Sequence, residues 1–324
     1  MFTNFLYNKK GIQKIETSDL KKYLDKNQNK IWIKASNISK EEEKILQEIL
    51  GIHPTTIEDI SSPQTRVKYE EFEEYTFIVF KRIKGIKETI IETYNISFII
   101  GEKYIITIND EPNEIIEELS RNNKKIENFF KKDEDYIAHY ILDKEVDKYL
   151  KIKIEFGEIL KKIEREFTEK HDKETLKKIF SKELLFLEFR QLTESITDVC
   201  LNLTKPADNY INNNLIPYFR DIYDHAFRTT EGLKTMLGRM NGMRNIYMSI
   251  GSMKMNEAIR ALTIIMALMM PLTIITGFYG MNIKLPMQNN PLAYIFILGI
   301  LLVSATIMII ISKKKGWLGK EKFD

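Results

Sequence analysis

Asn256, Thr263 and Thr273 carry neutral oxygen acceptors and recur with Ile259, Met266, Met270 and Gly277 at steps of three and four residues. That spacing puts all seven on one stripe of a helix. The stripe holds no acid, and it ends near Gly280, Met281 and Asn282. Uncharged oxygens in an apolar run can hydrogen-bond a neighbouring helix or line a pore. Taken alone, the stripe favours the helix contact. Catalysis has less to stand on. His53, His139, His171 and His225 are far apart, with no metal-ligand spacing, and neither a phosphate loop nor a nucleophile elbow occurs. Cys200 is the one cysteine, which excludes an intrachain disulfide and a thiolate cluster, and it reads as a small buried hydrophobe. Eleven of the thirteen methionines lie between 236 and 287. Without His or Cys beside them they suit adaptable helix packing rather than a copper site. No enzyme is expected, and no organic cofactor.

The stripe lies in the first of two apolar runs. Residues 261–280, "ALTIIMALMMPLTIITGFYG", and 292–311, "LAYIFILGILLVSATIMIII", each hold twenty residues without a charge. Each is long enough to cross about 30 Å of hydrocarbon. Lys254 and Arg260 precede the first run, and Lys313, Lys314 and Lys315 follow the second, whereas the loop at 281–291 carries only Lys284. Basic flanks around a nearly neutral loop place both termini in the cytosol and the loop outside. Tyr279 and Trp317 suit interfacial anchoring. The start, "MFTNFLYNKKGIQK", has no apolar core of a secretory signal, so the large N-terminal part is expected in the cytosol.

Ahead of the spans, the 324-residue chain is charged but balanced, with 49 basic and 46 acidic residues, which does not suggest a nucleic-acid partner. Residues 1–130 read as a mixed α/β domain. "KIWIKAS" (30–36), "YTFIVFKRI" (75–83) and the two strands of "IETYNISFIIGEKYIITIND" (91–110) are rich in β-branched and aromatic residues. Ser39 and Glu42 form a capping box for a helix that closes at Gly51. Residues 131–204 read as a helical hairpin, with Ile137, Ile141, Ile152, Phe156, Ile159, Ile163 and Phe167 at helical spacing and a polar break at 168–175. Residues 205–260 form a stalk. Pro217 and Pro271 bound a stretch without proline, in which Phe219, Ile222, Ala226, Thr229, Leu233, Met236, Met240, Met243, Tyr247 and Ile250 make a heptad-like seam. One helix from Pro217 to Tyr279 would reach roughly 95 Å. A packing seam on such a rod fits a symmetric oligomer whose helices surround an axis. The chain then divides into the first span (261–280), an external loop (281–291), the second span (292–311) and a basic tail (312–324).

Tyr279-Gly280-Met281-Asn282 resembles the Gly-Met-Asn signature of the CorA magnesium-transporter family. The motif closes the first of two C-terminal spans and follows "MNEAIRALTIIMALMMPLTIITGFYGMN" (255–282), while "IPYFRDIYDH" (216–225) and "GIHPTTIEDI" (51–60) look like other family segments. The similarity spans roughly residues 30–320. It implies an α+β membrane protein: a cytosolic mixed α/β domain, a helical hairpin, and a long stalk helix continuous with the first span. It also implies a homopentameric channel in the cell membrane, in contact with lipid, for passive uptake of hydrated Mg²⁺, with Co²⁺ or Ni²⁺ tolerated.

By the same resemblance Gly280, Met281 and Asn282 form the selectivity motif, and Asn256, Ile259, Met270 and Thr273, with the rest of the stripe, face the pore. Asp59 and Asp221 match positions whose carboxylates bind a regulatory Mg²⁺ between adjacent subunits, with Glu58 and Asp224 as assisting acids. The physics agrees. Mg²⁺ gives up its water reluctantly, so an acid ring would hold it too tightly for conduction, whereas Asn282 amide oxygens can accept hydrogen bonds from the ion's water. Gly280 would let the backbones turn and approach. Many family members place a Pro-Glu pair in the outer loop, and this chain has "IKLPMQNNPLAY", with Lys284 and no acid. The zinc-transporting branch of the superfamily is therefore the nearest alternative, and a two-span sensor without transport the next.

Overall fold

Runs of β-branched and aromatic residues near the N-terminus assemble into a seven-stranded sheet. The chain is seen in a computed structural model whose described residues are 2–26, 28–87, 90–206, 210–282 and 292–314. Two compact units are present, Met1–Arg244 and Asn245–Asp324. In chain order the first begins with β1 (Thr3–Asn8), β2 (Gly11–Ile15), α1 (Leu20–Leu24), β3 (Lys30–Ser36), α2 (Lys40–Leu50) and α3 (Pro54–Ser61). It continues with β4 (Lys68–Glu71), β5 (Thr76–Lys87), β6 (Ile90–Ile100), β7 (Tyr104–Asn109), α4 (Glu114–Ser120) and α5 (Asn123–Lys132). The hairpin helices α6 (Asp135–Glu169) and α7 (Lys173–Asn202) follow, then α8 (Ile216–Tyr279) and α9 (Ala293–Lys314).

The sheet order is β2-β1-β3-β7-β6-β5-β4, with β3 and β7 parallel and the remaining pairs antiparallel. Both faces are covered, which is why β7 reads as an unbroken run and every one of its residues is buried. On one face Ile33, Phe77, Val79, Ile99 and Ile106 pack against Leu46 and Leu50 of α2 and Ile60 of α3. On the other, Phe80 meets Tyr149 of α6 edge-on with ring centroids 6.0 Å apart, and Tyr149 stacks on Phe189 of α7 at 5.7 Å. Each fully buried aromatic contributes roughly 2 kcal/mol relative to exposure.

Helix ends follow local chemistry. Ser39 and Glu42 close the expected capping box, and Gly51 ends α2 at φ 67°, a left-handed conformation that costs glycine nothing. Asp172 caps α7 by accepting from the Thr175 N–H at 2.8 Å, and Phe156 stacks on Phe186 across the hairpin at 4.3 Å.

One expectation needs correction. The seam on α8 from Phe219 to Met243 fits packing around an oligomer axis by its pattern, but Phe219, Ile222, Ala226, Thr229, Leu233, Met240 and Met243 are buried within one chain. The hairpin covers them: Phe219 meets His139, Thr230 bonds Thr197 at 3.1 Å, and Met236 lies against Gly157. A heptad pattern reports that a helix is covered and leaves the covering element undefined.

A buried acid cluster fixes the chain where it enters α8. Lys30 pairs with Asp133 and with Glu134 at 2.8 Å, and Asn212 donates its backbone N–H to Asp135 and its amide to Asp133, both at 2.7 Å. Three carboxylates around one ammonium cannot all ionise. Burial pushes Glu134 up to about 8 and Asp135 up to about 7. Asp133 is also raised by burial, but bonds to Glu134, Lys30 and Asn212 outweigh that and hold it at about 2. For Glu134 and Asp135 the folded chain keeps protons that an unfolded chain releases near pH 4, roughly the ordinary carboxylate value. Their stabilisation is therefore complete below about pH 4 and lost as pH rises through 7 to 8. The melting temperature of the solubilised protein should fall between about pH 5 and pH 8.5, and Glu134→Gln with Asp135→Asn should flatten that fall. An unchanged slope in the double variant would contradict the assignment.

Candidate pore stripe and acidic sites

In the second unit the α8 stripe is exposed in the single chain, at Asn256, Ile259, Thr263, Met266, Met270, Thr273 and Gly277 alike, Met270 at 66%. The threonine hydroxyls are already committed. Thr263 donates to the Ile259 carbonyl at 2.8 Å and Thr273 to the Met269 carbonyl at 2.9 Å. Each thereby turns oxygen lone pairs outward and needs no partner helix to satisfy its proton. Pro271 lies inside α8 and has no N–H, so the Ala267 carbonyl lacks its usual donor. Both helices are long and apolar enough to cross a membrane.

The helix stops at the expected motif. Tyr279 is its last residue, and the Gly280 N–H reaches back to the Thr276 carbonyl at 2.9 Å. A Cβ at Gly280 would sit 3.1 Å from that carbonyl, so a larger residue would push the turn open. Met281 and Asn282 follow, both exposed. Lys284 and the rest of the loop at 283–291 lie outside the described residues, as do Lys315 and Trp317 of the tail.

The acids of the first unit occupy separate settings. Asp59 sits near the end of α3, where the Thr65 hydroxyl holds its carbonyl at 2.7 Å, and its carboxylate is ion-paired with Lys68 of β4. Lys68 also meets Glu70 at 3.0 Å, and its ammonium lies 5.4 Å from the centre of the Phe77 ring. Burial pulls the Lys68 pKa down, but hydrogen bonds to Asp59 and Glu70 outweigh it and the net direction is up. Asp221 on α8 is 69% exposed, with His225 Nε2 4.0 Å away, and His225 Nδ1 lies 3.9 Å from Asp147. Glu58 and Asp224 are exposed. Asp59 and Asp221 thus have different partners, and among the described residues no three His, Cys, Asp or Glu side chains gather closely enough to hold a metal ion.

The other candidates are structural. His53 caps α3 by accepting from the Thr55 N–H, and His139 is held below its usual pKa by burial. Burial pushes the Cys200 thiol up to about 12, which leaves it unreactive. Sequence reasoning missed Lys68. Its only signal is a lysine on a short charged strand, and nothing local says that α3 will deliver Asp59 to it.

Comparison with known proteins agrees with this layout. Residues 27–314 match the family described as CorA-like Mg²⁺ transporter protein. The cobalt/magnesium transport protein CorA of Thermotoga maritima is 32% identical over 278 residues, covering 84% of this chain and 78% of that protein. Among solved structures, the complete CorA magnesium transporter of Methanocaldococcus jannaschii superposes with a TM-score of 0.74 at 21% identity, covering 98% of this chain and 99% of that one. The ZntB cytoplasmic domain of Vibrio parahaemolyticus gives a TM-score of 0.58 at 10% identity, over 77% of this chain and 97% of that one.

Proposed function

The chain belongs to the CorA-like Mg²⁺ transporter family, and from that premise we propose that it forms a homopentameric channel for passive entry of hydrated Mg²⁺, closed from inside by Mg²⁺ bound between subunits. The observation that carries the reading is the α8 stripe: exposed neutral oxygens, with hydroxyl protons turned back into the helix, running to Gly280, Met281 and Asn282. Such oxygens accept from the ion's water and hold the bare ion less tightly than carboxylates would. Release stays easy, which conduction requires. Both termini face the cytosol on this reading, since Lys254, Arg260, Lys313 and Lys314 flank the spans.

Ile259 and Met270 are the apolar members best suited to closing the path, because a narrow apolar ring excludes water. Met270→Ser should leak Mg²⁺ at high internal Mg²⁺. A variant that assembles and stays shut would remove Met270 from the gate.

Co²⁺ and Ni²⁺ share octahedral hydration and are expected to pass more weakly than Mg²⁺. Zinc transport is the second reading, supported by the acid-free loop sequence. A two-span sensor is the third. Uptake into liposomes holding the purified protein, with each divalent ion offered in turn, separates them. Mg²⁺ flux is the expected result. Zn²⁺ flux alone would support the zinc reading, and no flux the sensor.

A further inference from the structure

Asp59 is not a free carboxylate waiting for an ion. Its charge is already met by the Lys68 ammonium, which is oriented by Glu70 and by the face of Phe77 and is 17% exposed. Lys68 lies on β4, an edge strand in register with β5 from Lys68 opposite Val79, so the backbone fixes where the ammonium can reach. A hydrated divalent ion approaching Asp59 from a neighbouring subunit must displace Lys68 or bind beside it. Beside it, an ammonium within about 4–6 Å of a divalent ion repels it. We infer that Lys68 is a built-in competitor of the regulatory divalent cation at Asp59, setting how much internal Mg²⁺ is needed to close the channel.

This inference rests on the reading of Asp59 and Asp221 as the sensor. Lys68 occupies the carboxylate when the ion is absent, so an arriving ion must take the place of an ammonium already seated there. When Mg²⁺ rises, the ion takes the carboxylate and Lys68 retains Glu70. The competitor raises the threshold without abolishing the response. A ligand shifts a conformational equilibrium only by its differential affinity, and Lys68 subtracts from that difference.

Lys68→Met deletes the charge while keeping an apolar stem to lie over Phe77, and Lys68→Arg keeps the charge. The readout is the Mg²⁺ concentration that gives half-maximal protection of α8 from protease in the full-length protein. Lys68→Met should lower that concentration roughly fivefold, the scale of a partly exposed ion pair. Lys68→Gln should move it in the same direction, which guards against a packing effect peculiar to methionine. Lys68→Arg should stay near the parent. If Asp59→Ala abolishes protection but Lys68→Met and Lys68→Gln leave the midpoint unchanged or raise it, the competitor role is wrong and the sensor stands. If Asp59→Ala protein responds to Mg²⁺ like the parent, the sensor reading itself fails and the competitor with it.

Discussion

Asn282→Ala is expected to abolish Mg²⁺ uptake while the oligomer still assembles. The side chain is exposed just beyond the end of α8, so its truncation leaves the span's packing in place. In a symmetric oligomer the substitution removes one amide acceptor from every subunit at once. Each hydrogen bond to the ion's water is worth about 1 kcal/mol net, roughly fivefold, so losing a whole ring of them compounds to loss of measurable flux. Asn282→Asp is the informative companion. It keeps the oxygen but adds charge, and should bind the ion more tightly and release it more slowly. Size-exclusion of the variant beside the parent separates lost conduction from lost assembly. Parent-like flux through an assembled Asn282→Ala protein would show that the ring lies elsewhere.

Asp59→Ala combined with Asp221→Ala should leave a channel that conducts but no longer shuts as internal Mg²⁺ rises. Within one chain Asp59 is paired with Lys68 and Asp221 stands 69% exposed beside His225, and among the described residues no three His, Cys, Asp or Glu side chains gather to hold a metal ion. Two such acids facing each other across an interface repel unless a cation lies between them. Water-completed oxygen sites of this kind are weak, as a sensor of millimolar internal Mg²⁺ must be. The double variant should retain most of its flux at Mg²⁺ concentrations that close the parent, and lose Mg²⁺-dependent protection of α8. Persistence of inhibition and protection at unchanged concentrations would put the sensor elsewhere.

Much of this was legible in the sequence because the signals were local. The strands at 30–36 and 91–110, the capping box at Ser39 and Glu42, the hairpin break at 168–175 and the helix reaching Tyr279 each depend on residues a few positions apart. Other elements were passed over. The β1–β2 hairpin turns between Asn8 and Gly11, and α4 and α5 open on Asn113 and Asn122, all ordinary signals too short to stand out from a charged background. The α8 seam was a different failure: its periodicity was right, but whether a covering helix comes from the same chain depends on tertiary packing. Lys68 was invisible for the same reason, since nine residues and a change of element separate it from Asp59. The α8 stripe was readable as a pattern, and what the structure adds is the direction of its hydroxyl protons.

The central claim is a Mg²⁺ channel governed by internal Mg²⁺, and flux measured against internal Mg²⁺ in liposomes of the purified full-length protein tests it most directly. The account predicts rapid Mg²⁺ entry when the lumen facing the first unit is free of divalent ion, falling steeply as Mg²⁺ there reaches the millimolar range. Absence of Mg²⁺ flux at every internal concentration, from protein shown to be assembled and inserted, would contradict it.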